Sequence, residues 1–289
     1  MRLLVTGAAG MLGREIARAA RRISGGVEWR VAAYPRASLD VTDPEAVRDA
    51  VDIVSPAVLI NCAGWTDVDG CESDEITALR VNGEAPGRLA AICRETGATI
   101  VHFSTDYVFD GTSRRPYIED DPVSPISAYG RSKLAGEQAI LRSGAAHLIL
   151  RTQWLYGAHG KSFVNTILER AAAGEKLRVV NDQHGAPTYA RELAAVTLAA
   201  IAKRIRGIRH AAPAGECTWY EVAREALLLA GLDPEQVTPV STAEFPRPAR
   251  RPPYGVLDTS KLRAAGIALS PWREALETYI RKDRGTASE

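Results

Sequence analysis

The chain has 289 residues, 46% hydrophobic and 25% charged. Those are the proportions of an ordinary globular protein, and they exclude a disordered chain, a collagen and a coiled coil. With 36 Lys and Arg against 35 Asp and Glu, the net charge is +1, so no bulk field draws the chain to nucleic acid or to an anionic membrane.

At roughly 150 residues per domain, the length predicts about two domains, or one large α/β domain with an added lobe. The opening Arg2-Leu3-Leu4-Val5-Thr6 is too short an apolar run for a signal peptide and reads as a strand ended by Gly7. A helical pattern follows from Met11 to about Arg22, with Leu12, Ile16 and Ala19 on one face. Val27 to Ala33 reads as a second strand. Asp43-Pro44 starts a second helix, Asp43 as its cap, and that helix ends before Pro56. The segments 57–62, 98–103 and 147–151 are apolar without alternation, as in strands covered on both faces. Strands of that kind separated by helices predict a Rossmann-like, doubly wound parallel α/β sheet. Beyond residue 152 the rhythm changes to helices at Phe163 to Ala173, Arg191 to Ile205 and Thr218 to Gly231, followed by a loop, 245–253, rich in proline and arginine. The expected organisation is a dinucleotide-binding domain over 1–152 and a smaller, mainly substrate-binding lobe over 153–289, with the chain free to cross between them. No apolar run is long enough to span a bilayer. Cys62, Cys71, Cys93 and Cys217 lack metal-site spacing, as expected of buried thiols in a reducing cytosol.

Glycines fall at Gly7, Gly10 and Gly13, between the first strand and the first helix. Such a turn lets backbone approach a pyrophosphate, and the helix N-terminus offers it free N–H groups. A glycine triplet alone is also what an ordinary βα turn looks like; its place between a clear strand and a clear helix favours the dinucleotide. The second strand ends at Ala33 with no carboxylate to take a ribose 2′-hydroxyl. Arg36, just beyond it, reads either as a partner for a 2′-phosphate or as a solvated loop residue. NADPH is therefore the expected cofactor, with NADH as the other candidate.

Tyr129 and Lys133 are four apart, on one face of a helix opening after Ser127. A phenol with a pKa of about 10 exchanges protons poorly at neutral pH, and a nearby ammonium is expected to lower it. Ser104-Thr105-Asp106 follows the strand ending at Phe103, where the C-terminal strand ends face the ligand crevice. Thr105 is thus expected to hydrogen-bond the same substrate oxygen as Tyr129.

Together these residues resemble the extended short-chain dehydrogenase/reductase superfamily and, more narrowly, the dTDP-4-dehydrorhamnose reductase family. The likeness runs nearly end to end. It is carried by 104–111 (STDYVFDG), 129–137 (YGRSKLAGE), 151–157 (RTQWLYG), 181–188 (NDQHGAPT) and the Arg251-Pro252 segment through Leu257. The resemblance implies Tyr129 as proton donor, Lys133 on the nicotinamide ribose and Thr105 on the reacting sugar oxygen. It also implies Met11, Leu12 and Gly13 at the pyrophosphate, Asp40 and Val41 at the adenine, and Ala63, Gly64 and Trp65 along the cofactor. Asp106 and Trp154 would contact the deoxysugar. Two positions depart from the pattern: Gln153 where Ser or Thr is more common, and Gly255 where Ser is common. Some relatives hold magnesium between subunits through helix carboxylates, but Arg191 stands where one of these is looked for, so no metal is expected.

The expected reaction is reduction of a nucleotide-linked 4-keto-6-deoxysugar, most specifically dTDP-4-dehydrorhamnose to dTDP-L-rhamnose. Arg251 is the first choice for meeting the substrate pyrophosphate. The expected partners are the nucleotide-sugar and, at most, a second copy of the chain in a homodimer, in the cytoplasm, with no nucleic acid and no membrane. Two alternatives stand beside this. A nucleotide-sugar dehydratase or epimerase is one, although dehydratases of the superfamily show Thr-Asp-Glu where this chain reads Thr105-Asp106-Tyr107. A non-catalytic, NADP-binding regulatory subunit of a methionine adenosyltransferase is the other.

Overall fold

A computed structural model describes residues 1–21 and 28–284; the expected helix end at Arg22 and strand start at Val27 lie outside them. Five strands form the centre of a parallel sheet: β1 (Arg2–Thr6), β2 (Arg30–Tyr34), β3 (Val58–Asn61), β4 (Thr99–Thr105) and β5 (His147–Thr152). Their spatial order is 2-1-3-4-5, and a sixth strand, Gly207–His210, adds to β5 in parallel. The order reverses between β1, whose next strand in sequence lies on one side, and β3 on its other side. A doubly wound sheet opens its ligand crevice at that switch point, beyond the carboxyl ends of the strands.

Local chemistry accounts for the helices. In α1 (Met11–Ala20), Leu12, Ile16 and Ala20 are buried and share a core cluster with Leu193 and Leu198 of the helix Ala190–Ala202. In α2 (Pro44–Val54), Asp43 accepts hydrogen bonds from the N–H groups of Glu45 and Ala46, and Pro44 takes the first position, where its missing N–H costs nothing. The helix Ala128–Ser143 is capped by Ser127, which accepts from Gly130 N. It is fixed to β5 by a fully buried two-point ion pair, Arg151 Nε and Nη2 to Glu137, at 2.9 and 2.7 Å. The helix Trp219–Leu229 has the expected Thr218 cap, completed reciprocally by Glu221.

The sixth strand was not expected from the sequence. It returns the chain to the main sheet after residue 152, and the helix Ala190–Ala202 likewise packs against α1. That helix stops short of the expected Ile205, with Arg204 turned to a left-handed φ of 56°. A second core gathers Tyr156, Leu168, Tyr189, Leu227, Trp272 and Tyr279, built on three small two-stranded pairings of the later chain. All four cysteines are free, and burial pushes the Cys71 and Cys93 thiols up to about 11 and about 12.

Candidate active site

A cleft of about 610 Å³ opens at the switch point. One end is the glycine turn, whose three glycines answer to different constraints. Gly7 has a φ of 63°, and a Cβ there would stand 2.6 Å from Ala63 N at the end of β3. A Cβ on Gly13 would stand 2.4 Å from Gly7 O. These two let the turn close on β3 and α1. Gly10 is exposed to the cleft, and a Cβ there would meet only Gly7 O, at 3.2 Å. No side chain caps α1, so its first-turn N–H groups and the positive end of its dipole are left for an anion. Gly10, Met11, Leu12, Ala63 and Gly64 line this end. The cradle fits a dinucleotide pyrophosphate, and a side chain on Gly10 would project into it.

Arg36, Asp40, Val41 and Trp65 lie outside the cleft lining. Asp40 accepts from the N–H and hydroxyl of Thr42, which hold its carboxyl below the usual range. Arg36 stands 3.7 Å from Asp40 with its side chain 86% exposed. Val41 is buried in the core with Leu4 and Leu59. Trp65 exchanges two backbone hydrogen bonds with the buried Asn82 amide, both 2.9 Å.

Thr105, Asp106, Tyr129 and Lys133 meet in the middle of the cleft. Lys133 is buried; its Nζ donates to Phe103 O at 2.5 Å and lies 3.3 Å from His102 Nε2. Behind it, His102 Nδ1 is 3.1 Å from Asn61 Nδ2, and Thr6 Oγ1 donates to Asn61 Oδ1 at 2.7 Å. Burial, then the Lys133 charge, hold His102 neutral, well below its ordinary pKa. Burial brings Lys133 down to about 8.

The sequence-based expectation for Tyr129 is corrected here. The Lys133 ammonium is turned onto Phe103 O and His102, and the strongest influences on the phenol are burial and the Asp106 carboxylate. Both push its pKa up, against an interaction with the Thr105 hydroxyl. The phenol is therefore held protonated, the form a proton donor needs. Thr105 Oγ1 donates to Asp106 Oδ1 at 2.9 Å, and burial pushes the Asp106 carboxyl up to about 7. Gly255 makes room for it: a Cβ there would lie 2.4 Å from Asp106 Oδ2.

The far end belongs to the later chain. Trp154, at a φ of 46°, stacks on Trp219 with ring centroids 3.7 Å apart. Arg251 is not free to offer its whole fork to a pyrophosphate: Nη1 and Nη2 donate to the two Asp69 oxygens at 2.6 and 2.9 Å. Arg247 Nε and Ala249 N donate to the same carboxylate, each at 3.0 Å, and together these partners hold Asp69 well below the usual carboxylate range. Asp69 sits on the short helix α3 (Val68–Ser73), so the pairs fasten the proline-arginine loop to that helix. Sequence reasoning missed Asp69, Trp219, Asn61 and His102. For the last two a signal existed: a polar side chain in a strand covered on both faces needs a buried partner.

Among the described residues no cluster of His, Cys, Asp or Glu is placed to hold a metal, and no helix is long and apolar enough to cross a membrane. The family described as "RmlD substrate binding domain" matches residues 1–284. The chain is 48% identical over 280 residues to a Streptomyces antibioticus protein named "Probable dTDP-4,6-dihydroxy-2-methyloxan-3-one 4-ketoreductase", covering 96% of this chain and 93% of that one. It is 46% identical over 282 residues to a dTDP-4-dehydrorhamnose reductase of Streptomyces griseus, covering 95% and 91%. A crystal structure of the Bacillus anthracis dTDP-4-dehydrorhamnose reductase in complex with NADP superposes with a TM-score of 0.91 at 34% identity, covering 96% of this chain and 98% of that one.

Proposed function

Because this chain belongs to the RmlD substrate binding domain family, we propose that it is an NADPH-dependent reductase of a dTDP-linked 4-keto-6-deoxysugar, with dTDP-4-dehydrorhamnose as the substrate to test first. The observation that carries the reading is one cleft that joins an uncapped glycine-turn helix to a protonated, partly buried phenol. The names of the relatives support the substrate class. Gly10, Met11 and Leu12 would hold the cofactor pyrophosphate and Lys133 the nicotinamide ribose. When bound, the cofactor supplies hydride to the sugar C4. Tyr129 gives its proton to the alkoxide forming there. Thr105 turns its single proton from Asp106 to the same oxygen when the substrate is bound, and Trp154 lies against the deoxysugar. Arg251, fixed on Asp69, sets the loop that borders the nucleotide. The reading includes a cytoplasmic enzyme, supported by the balanced charge and the free cysteines.

Against the dehydratase alternative stands Tyr107. It packs edge-on to Tyr129 at 5.5 Å, where elimination of water would ask for an acid. The test is steady-state oxidation of NADPH and of NADH in the presence of dTDP-4-dehydrorhamnose. Turnover in the usual range of about 1–10³ s⁻¹ is expected with NADPH. Tight NADPH binding with no oxidation by any 4-keto-6-deoxysugar nucleotide would move the chain to the regulatory-subunit class.

A further inference from the structure

Gln153 is 3% exposed, and neither its Oε1 nor its Nε2 has a hydrogen-bond partner. Leaving an amide buried and unpaired is costly, and native proteins seldom do so without a reason. The residue lines the cleft. Two neighbours there are in the same condition: Thr152 Oγ1 and Ser104 Oγ are buried and unpartnered too. β4 and β5 pair Thr105 with Thr152 and Ser104 with Arg151 in register, so Thr152 shares a face with Thr105, Ser104 lies on the other, and Gln153 follows one residue past the strand neighbour of Thr105. A Cβ on Gly185 would lie 2.7 Å from the Trp154 ring and 2.9 Å from Gln153 Oε1.

We propose that Gln153 is a specificity-determining residue whose amide pairs with a ring hydroxyl next to the reacting carbonyl, so that the enzyme selects 4-keto-6-deoxysugars that keep this hydroxyl over their deoxy counterparts. The inference rests on the reductase reading and names the sugar feature that the site takes. A site built to hydrogen-bond a substrate hydroxyl rejects the analogue lacking it strongly, because the buried polar group is then left unpaired. Ser or Thr at this position would offer a shorter hydroxyl in place of the amide. The unpaired amide also has a signature of its own: removing it without changing its bulk takes away a buried desolvated group and breaks no bond within the protein.

The experiment uses Gln153→Leu, with Gln153→Ala as the second variant should the first not fold. Affinities of the NADP⁺-loaded protein for dTDP-L-rhamnose and for its 2-deoxy and 3-deoxy counterparts are measured by calorimetry, and Tm by scanning. Expected for wild type is discrimination against the 3-deoxy nucleotide, because C3 is the hydroxyl-bearing neighbour of C4; discrimination against the 2-deoxy nucleotide alone overturns the proposal. In the leucine variant the affinity for the rhamnose nucleotide falls by about 10- to 100-fold, the range of one hydrogen bond with a buried partner. That deoxy nucleotide binds as before, and Tm holds or rises. Equal losses for all three nucleotides, no loss for any, or a loss confined to NADP⁺ overturns the proposal while the reductase reading stands, as does equal binding of all three by wild type. If wild type binds none of them, the reductase reading falls and takes the proposal with it.

Discussion

The two ends of the cleft are made of different materials. At the cofactor end the chain offers backbone: a turn closed by Gly7 and Gly13, an open Gly10 and an uncapped helix. At the substrate end it offers buried side chains, several held by one another and three with hydrogen bonds still to make. Backbone recognition serves any dinucleotide and needs little beyond the absence of side chains. Side-chain recognition carries the chemistry and the choice of sugar. Single substitutions should therefore act sharply at the second end, and at the first only where they put atoms into the cradle.

The largest effect expected is at Tyr129. Tyr129→Phe keeps the ring, its edge-on contact with Tyr107 and the fold, and removes the proton donor. Turnover should fall by about 10²- to 10⁴-fold with NADPH affinity unchanged, read by single-turnover kinetics beside a binding titration. Turnover within about threefold of wild type, against the factor general acid catalysis supplies, would sink the assignment.

Next come the glycines, which divide the cofactor end itself. Gly10→Val should lower NADPH affinity by about tenfold or more while the melting temperature stays close to wild type, since a side chain there enters only the pyrophosphate path. Gly7→Ala meets Ala63 backbone and a left-handed φ. It should instead cost about 1–3 kcal/mol of stability, read by urea unfolding. Identical behaviour of the two variants would erase the distinction drawn between the open cradle at Gly10 and the closed turn at Gly7.

A smaller effect is expected from pH. Burial raises the folded-state pKa of Asp106 from 3.8 to about 7, so between these values the unfolded chain has lost a proton that the folded chain keeps. The contribution of this group is fully present below about pH 4 and is lost as pH rises toward 7. Asp106→Asn should flatten that part of the stability profile, measured by urea midpoints across the window. Lys133 works in another range: its folded-state pKa is lowered from 10.5 to about 8, so its effect on stability rises with pH between those values.

Much of this molecule was legible in its sequence because the constraints were local. The Gly7 turn, the Asp43-Pro44 helix start, the Thr218 cap and the Tyr129–Lys133 spacing each depend on neighbours within a few residues. What escaped is non-local. The strand Gly207–His210 is specified by pairing with β5, not by any strong pattern of its own. Arg251 finds its carboxylate 182 positions earlier in the chain. The upward push on Tyr129 comes from Asp106 and from burial, neither of which helical spacing reveals. Gln153 was visible as a departure from a pattern; that both ends of its amide lack partners appears only once the surrounding chain is in place.

The smallest effect is expected at Arg36, whose side chain is almost wholly exposed beside Asp40. Arg36→Ala should raise the KM for NADPH several-fold and leave that for NADH unchanged, in steady-state assays with both cofactors. An equal change in both would show that the guanidinium points to solvent and that cofactor choice lies elsewhere.

The proline-arginine loop has a consequence for how a charged substrate arrives. Its three arginines suggest a landing field for a nucleotide diphosphate, yet Asp69 takes up Arg247 and Arg251 from within. Among the described residues Arg250 is the one arginine of the loop with no carboxylate partner, and it is exposed. From a Debye length away, about 8 Å at physiological ionic strength, the loop presents much less charge than its composition suggests. Long-range steering then contributes little to capture, and the association rate of a dTDP-sugar, followed by stopped flow over a salt series, should change only modestly with ionic strength. Selection takes place after contact, in the cleft, and not on the approach to it.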